Sequence, residues 1–228
     1  MKTVITIAAY NEEKIIGSVL EQIPPEYDVV VVDDGSTDET REICRKHGAT
    51  VVKHVINLGQ GAAVLTGFRK ALEKEYDFII EMDGDGQHDP TDISRFIDVM
   101  ENDPSVDIVI GSRILGSSYK APFFRRTFLP VFTGIINLVT GYRLTDSMSG
   151  FRAFRASSLR RCHSLIDGFL EPQYLASEMF IKFAKEGLSV TEIPIHISNR
   201  GFGVSYKGLV RYGWGVTRTI IRTILQVQ

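Results

Sequence analysis

Apolar residues follow two alternating rhythms through the first half of the chain. Near-continuous runs, "TVITIAA" at 3–9, "YDVVVVDD" at 27–34, "TVVKHV" at 50–55, "DFIIEMD" at 77–83 and "VDIVIGS" at 106–112, predict strands buried on both faces. Stretches with helical spacing lie between them, at 12–23, 36–48, 61–74 and 91–102. Ser36 with Glu39 three residues on reads as a capping box, Gly48 as a helix stop, and Thr91 as the cap of the fourth helix. Strands alternating with helices predict an α/β fold, a mostly parallel sheet covered on both faces. Beyond Arg113 the beat changes. A turn-rich stretch at 113–127 leads to an apolar helix-length segment at 128–142, interrupted by Pro130, Gly134 and Asn137. A short strand at 149–155, a helix at 171–186, one or two strands at 188–198 and a final helix at 206–226 complete the reading. No repeat, linker or low-complexity tract divides the 228 residues, so a single domain is expected.

Charge adds an asymmetry to this picture. Residues 1–110 carry 22 acids against 10 bases, whereas 111–228 carry 6 acids against 16 bases. An acidic half suits a cation, and a basic half suits an anionic substrate or surface. Cys44 and Cys162 have no metal or redox spacing and read as idle thiols. "MKTVITIAAYNEEK" lacks the pattern of a signal peptide, and no run reaches the about 18–20 apolar residues of a membrane span. A cytoplasmic setting is expected.

In an open parallel sheet, ligands gather at the carboxyl ends of the strands. Those ends read Tyr10-Asn11-Glu12, Asp33-Asp34-Gly35-Ser36, Asn57-Leu58-Gly59-Gln60-Gly61, Asp83-Gly84-Asp85-Gly86-Gln87 and Gly111-Ser112-Arg113. Any one of them is ordinary turn chemistry. Five polar rims together indicate a site.

The fourth, "EMDGDGQHDP", admits three chemistries. As a calcium loop starting at Asp83 it would place His88 where glycine belongs and Ser94 where the bidentate glutamate belongs, so that reading fails. A phosphatase-type aspartate would want a Ser or Thr and a Lys to neutralise the phosphoryl group, and nothing of that order follows Asp83. Mg²⁺ or Mn²⁺ takes one or two carboxylates and completes its shell with water and phosphate oxygens. Asp83 and Asp85, one glycine apart, suit that third reading, with the ion cancelling their mutual repulsion.

"AAYNE", "DDGSTD", "NLGQGAAV", "MDGDGQHDP", "GSR", "DSMSGFR" and "RGFGVSYK" together resemble the ordered motifs of inverting family 2 glycosyltransferases, in the dolichyl/polyprenyl-phosphate hexosyltransferase branch. The resemblance runs from residue 4 to about residue 208. It implies the Rossmann-like GT-A fold, a nucleotide-diphospho-sugar donor such as GDP-mannose or a UDP-hexose, a lipid-phosphate acceptor, and a divalent metal on Asp83, Asp85 and Gln87. Residues 1–112 would form the donor and metal half, and 113–228 the acceptor half. Tyr10 and Glu12 match nucleoside-contacting positions, Val32 and Asp34 the grip on base and ribose, and Gly84 and Gln87 the diphosphate segment. Arg113, Arg126 and Arg200 match arginines that hold donor and acceptor phosphates, and Ser205 and Lys207 fall in a closing loop. Two departures stand out: Ala8 where the family has proline, and Tyr206 directly after Ser205 where a basic residue is usual.

A lipid phosphate monoester has a second pKa of about 6, so it is mostly dianionic at neutral pH and needs no general base. The five scattered histidines agree with that. Asp146 is expected to order its loop or pair with Arg152, and Glu178 to be structurally paired. The final helix places Arg211, Arg218 and Arg222 on one side, with Leu209, Trp214, Ile221, Ile224 and Leu225 over much of the rest. It reads either as a helix docked on its own domain or as a peripheral membrane contact, with a membrane partner protein as an aid. No nucleic-acid partner is expected. Two alternatives stay open: a saccharide-hydroxyl acceptor on the same fold, and a sugar nucleotidyltransferase, although "AAYNEEK" lacks the glycine-rich loop of the latter.

Overall fold

A computed structural model of the protein describes residues 1–116, 123–162, 166, 168, 174–197 and 209–227, apart from the side chains of 123–128, 209–213 and 226–227. The elements in chain order are β1 (Thr3–Ala9), α1 (Ile16–Gln22), β2 (Asp28–Asp33), α2 (Thr40–Lys46), β3 (Thr50–Lys53), α3 (Gln60–Leu72), β4 (Phe78–Asp83), α4 (Ile93–Asn102) and β5 (Ile108–Ser112). They continue with α5 (Phe123–Thr140), β6 (Arg152–Arg155), α6 (Ala156–Arg161), α7 (Leu175–Lys185), β7 (Val190–Pro194) and α8 (Leu209–Val227). One seven-stranded sheet has the order β3-β2-β1-β4-β6-β5-β7. The pairs among β3, β2, β1 and β4 are parallel, as is β5 with β7, while β6 runs antiparallel to both of its neighbours.

Alternate side chains of each strand enter opposite faces, which is why the strands read as unbroken apolar runs. Val4, Val30, Ile79, Ile108 and Phe154 pack with Phe68 of α3 and Phe180 of α7. Ile5, Ile7, Val31, Ile80 and Val109 pack on the other face with Ile16, Phe96 and Phe151. The register sets Ala9 beside Asp33 and Ala8 beside Asp83, so the acidic ends of β2 and β4 flank the end of β1. Cys44 and Cys162 are buried and free, with burial pushing the Cys44 thiol up to about 12.

Helix starts depart from the sequence reading. The first helix begins at Ile16 rather than Glu12, because the Glu12 carbonyl accepts the N–H groups of Ile15 and Ile16. The Ser36 capping box does not form. Helix α2 begins at Thr40, whose N–H and hydroxyl both donate to Asp38, and Ser36 serves a different loop. Asp89 rather than Thr91 caps the turn before α4, accepting the Thr91 N–H at 2.9 Å.

Helix α8 docks on α7, burying Gly215, Val216, Thr219, Ile220 and Thr223. The contact is close: a Cβ on Gly215 would lie 1.9 Å from the Tyr174 ring. The opposite side leaves Trp214, Ile221 and Leu225 exposed among Arg218 and Arg222. Among the described residues, no helix is long and apolar enough to cross a membrane.

Candidate active site

The loops after β1 and β2 are stitched together by short polar side chains. Asn11 adopts a left-handed backbone (φ 53°), the conformation asparagine tolerates best among residues with a Cβ. Its side-chain oxygen accepts the Thr37 N–H at 2.9 Å, and its own N–H donates to Ser36 Oγ at 3.0 Å. Glu12 N–H donates to Thr40 Oγ1 at 2.8 Å, and Glu13 N–H to Asp38 Oδ2 at 3.2 Å. The result leaves Tyr10 half-exposed at the rim with Glu12 beside it.

Asp34 and Val32 lie at the end of β2, held by the neighbouring loop and by α3. Asp34 is buried and accepts the Leu58 N–H at 2.9 Å, the Gly59 N–H at 2.8 Å and His54 Nδ1 at 2.7 Å. His54 Nε2 in turn lies 3.0 Å from the Thr66 hydroxyl. Asp34 thus shapes the loop between β3 and α3. The Val32 side chain is 1 % exposed and lies beneath Gly67 of α3.

The acidic turn is held on several sides. Gly84 N–H donates to the Ala8 carbonyl at 3.2 Å, which pins the turn to β1. Gly86 takes φ +73°, and a Cβ there would come 2.8 Å from Ile15 Cγ1, so only glycine fits without displacement. Asp83, Asp85 and Gln87 are all half-buried. Asp83 Oδ1 accepts Gln60 Nε2 at 2.6 Å from the start of α3, and Asp85 Oδ1 accepts the Gln87 N–H at 3.1 Å. His88 is buried, stacks on Phe151 with centroids 5.0 Å apart, and accepts the Asp83 N–H at Nδ1. Burial lowers its pKa, Asp83 and Asp85 pull it up, and Arg113 and Arg152 add to the lowering. His88 is therefore a neutral packing group on which both the acids and the arginines bear.

This turn suits a small hard cation. A Cβ on Gly150 would lie 2.7 Å from Asp83 Oδ2, so the glycine keeps open the space beside that carboxylate oxygen. Among the described residues, no three His, Cys, Asp or Glu side chains converge on one point. Carboxylate and amide oxygens suit Mg²⁺ or Mn²⁺ better than the His and Cys donors of a closed zinc cage would. Gly150→Ala is expected to raise the Mn²⁺ concentration needed for half-maximal activity roughly tenfold, the order a displaced ligand costs. A metal titration of the variant with its unfolding midpoint in parallel checks this.

Arg113, at the end of β5, forms a fork with Asp146: Nε to Oδ2 at 2.6 Å and Nη2 to Oδ1 at 2.8 Å. Its backbone N–H also reaches Asp146 Oδ2 at 3.1 Å. Asp146 thus orders the loop as expected, but its partner is Arg113. Arg152 pairs instead with Glu81, at 2.7 Å. Glu178 is paired structurally, with Lys182 at 2.7 Å.

Sequence reasoning passed over Glu81 and offered Arg152 a different partner, although a charge midway through the apolar run of β4 was a visible signal. The pair is buried and incomplete: among the described residues, Glu81 Oε2 and Arg152 Nε find no hydrogen-bond partner. Burial pushes Glu81 up to about 7, against the pull of Arg152 and with a further push from Asp83. The folded chain therefore keeps a proton that the unfolded chain releases near pH 4.5, and the associated stability is lost as pH rises toward about 7. In metal-free urea unfolding, Glu81→Gln is expected to flatten this slope. Relative to the native chain it should gain about 2–3 kcal/mol between about pH 5 and about pH 8.

Arg126 falls on α5 at a position whose side chain lies outside the described residues, as do Arg200, Ser205 and Lys207 entirely.

Residues 4–162 match the family model described as glycosyl transferase family 2. Over 213 residues the chain is 35% identical to a UDP-N-acetylglucosamine–dolichyl-phosphate N-acetylglucosaminyltransferase of Methanococcus voltae, covering 84% of this chain and 83% of that one. It is 32% identical over 216 residues to an undecaprenyl-phosphate mannosyltransferase of Micrococcus luteus, covering 90% and 87%. Among solved structures it resembles glucosyl-3-phosphoglycerate synthase from Mycobacterium tuberculosis in complex with Mn²⁺, UDP and phosphoglyceric acid. That match has a TM-score of 0.69 at 19% identity over 99% of this chain and 78% of the other, a likeness of fold.

Proposed function

The chain belongs to glycosyl transferase family 2, and on that premise we propose that it transfers a hexose from GDP-mannose or a UDP-hexose to a dolichyl or polyprenyl phosphate, with inversion and with Mg²⁺ or Mn²⁺ bound. The observation that carries this reading is the acidic turn with a glycine-kept space beside Asp83, set near an arginine fork. The lipid-phosphate acceptor is supported by what the two relatives are named for.

Asp83 and Asp85, with Gln87 beside them, would hold the ion, leaving the rest of its shell to water and the donor's phosphates. When bound, the ion acts as a Lewis acid that draws charge from the leaving diphosphate. Tyr10 and Glu12, fixed by the stitched loops, would flank the nucleoside. Arg113, Arg126 and Arg200 would hold the phosphates of donor and acceptor, and Ser205 and Lys207 would close over them. An acceptor phosphate oxygen forms the new bond to the anomeric carbon as the bond from that carbon to the diphosphate breaks. The dianionic acceptor needs no base, in keeping with a His88 that is buried, held neutral and engaged with the backbone of Asp83.

Residues 1–112 would thus serve donor and metal, and 113–228 the acceptor. The exposed Trp214, Ile221 and Leu225 of α8, with Arg218 and Arg222, would rest on the cytoplasmic face of a membrane, aided by a membrane partner protein. The direct test offers UDP- and GDP-sugars labelled in the sugar, with polyprenyl phosphate or soluble glycans as acceptor, and with Mn²⁺ or EDTA. Metal-dependent label in the lipid phase is expected. Label confined to soluble glycans would replace the acceptor assignment with a hydroxyl.

A further inference from the structure

We infer that Glu192, in the middle of β7, is a positioning residue for Arg113, and the consequence for turnover rests on the function proposed above. Glu192 is 79 residues from Arg113 in sequence, and β7 is the edge strand beside β5. Its carboxylate takes three hydrogen bonds from the short segment that carries Asp146. Oε2 accepts the Thr145 N–H and the Thr145 hydroxyl, both at 2.8 Å, and Oε1 accepts the Asp146 N–H at 2.9 Å.

The polarity of the network follows from chemistry. An ionised carboxylate only accepts, so the Thr145 hydroxyl must donate to Glu192. The contact of 2.6 Å between Ser112 and Thr145 must then have Ser112 as donor, which leaves Ser112 Oγ to accept the Leu115 N–H at 3.2 Å. A chain of one-way hydrogen bonds therefore runs from the backbone beyond β5, through Ser112 and Thr145, to Glu192. Beside it the same carboxylate holds the Asp146 backbone, and Asp146 holds Arg113 through both oxygens. Ser112 and Asp146 are completely buried, so water cannot replace a lost partner cheaply. Glu192 fixes the loop, the loop fixes Asp146, and Asp146 fixes the plane of the guanidinium.

The test compares the native chain with Glu192→Gln by side-chain ¹⁵N NMR, with the Arg113 Nε–H signal assigned by its loss in Arg113→Lys. Exchange of that proton is expected to be slow in the native chain and to speed up at least tenfold in Glu192→Gln, while other buried amides stay protected. This readout needs no substrate, so it stands or falls apart from the proposed reaction. In the kinetic arm, KM for whichever substrate's phosphate Arg113 holds, the polyprenyl phosphate or the sugar nucleotide, is expected to rise roughly 10- to 100-fold, the order a misplaced binding group costs. KM for the other substrate should stay within about twofold, and Glu192→Gln should add little in an Arg113→Lys background. Unchanged Nε–H exchange in Glu192→Gln overturns the inference and leaves Glu192 a stabilising residue only. Faster exchange without a change in either KM upholds the positioning and refutes the phosphate-holding role given to Arg113, and a native enzyme inactive on the lipid phosphate upholds the positioning while refuting the acceptor proposed above.

Discussion

Asp85→Ala is expected to lower sugar transfer roughly 10²- to 10³-fold at saturating Mn²⁺, the cost of removing one preorganised electrostatic group from a reacting centre. The side chain is half-buried and accepts the Gln87 N–H. Truncation at a half-buried turn position is expected to cost the fold no more than about 1–3 kcal/mol. A large kinetic loss on a nearly intact fold is the signature of a residue that acts on the ion and the diphosphate. Turnover against Mn²⁺ concentration, with unfolding measured in parallel, reads both. Near-native turnover at saturating metal would remove Asp85 from the site.

For Asp146→Ala the order is reversed, and stability should fall first. Asp146 is completely buried and Arg113 nearly so, with side-chain exposures of 0% and 14%. Truncating the acid strands the guanidinium without its counter-charge and removes three hydrogen bonds, a loss of about 3–5 kcal/mol. In a chain of this size that lowers the melting temperature by on the order of ten degrees. Asp146→Asn, which keeps an acceptor oxygen, should lose less. A melting temperature within about two degrees of native for the alanine variant would show that the fork contributes little.

The frame of the fold was legible because strands buried on both faces must be apolar throughout, and β1, β2, β4 and β5 appear where their Val and Ile runs lie. Strand β6 was harder. Its four residues include two arginines, and its antiparallel direction depends on pairing with β4 and β5, which no local pattern records. Helix starts were misplaced for a related reason: Ser36 and Thr91 have capping chemistry, but Asn11 claims the first and Asp89 binds the second. The acidic turn was readable since its acids and glycines are adjacent in sequence. The groups that complete it were not: Gln60 lies 23 residues from Asp83, and Gly150 lies beyond two further helices. Asp34 shows the same limit. Its buried carboxylate takes its donors from the next loop, 20 to 25 residues away, and no local pattern records them. The family match also closes one alternative, since the chain is a glycosyltransferase rather than a sugar nucleotidyltransferase.

The most direct test titrates UDP and GDP into the protein by calorimetry, with Mn²⁺ and with EDTA, and repeats the titration on Asp83→Ala. The account predicts that Mn²⁺ tightens binding of one of the two nucleotides at least tenfold in the native chain and leaves the variant unchanged. Equal affinity with and without the ion, or the same metal-dependent gain in Asp83→Ala, would contradict it.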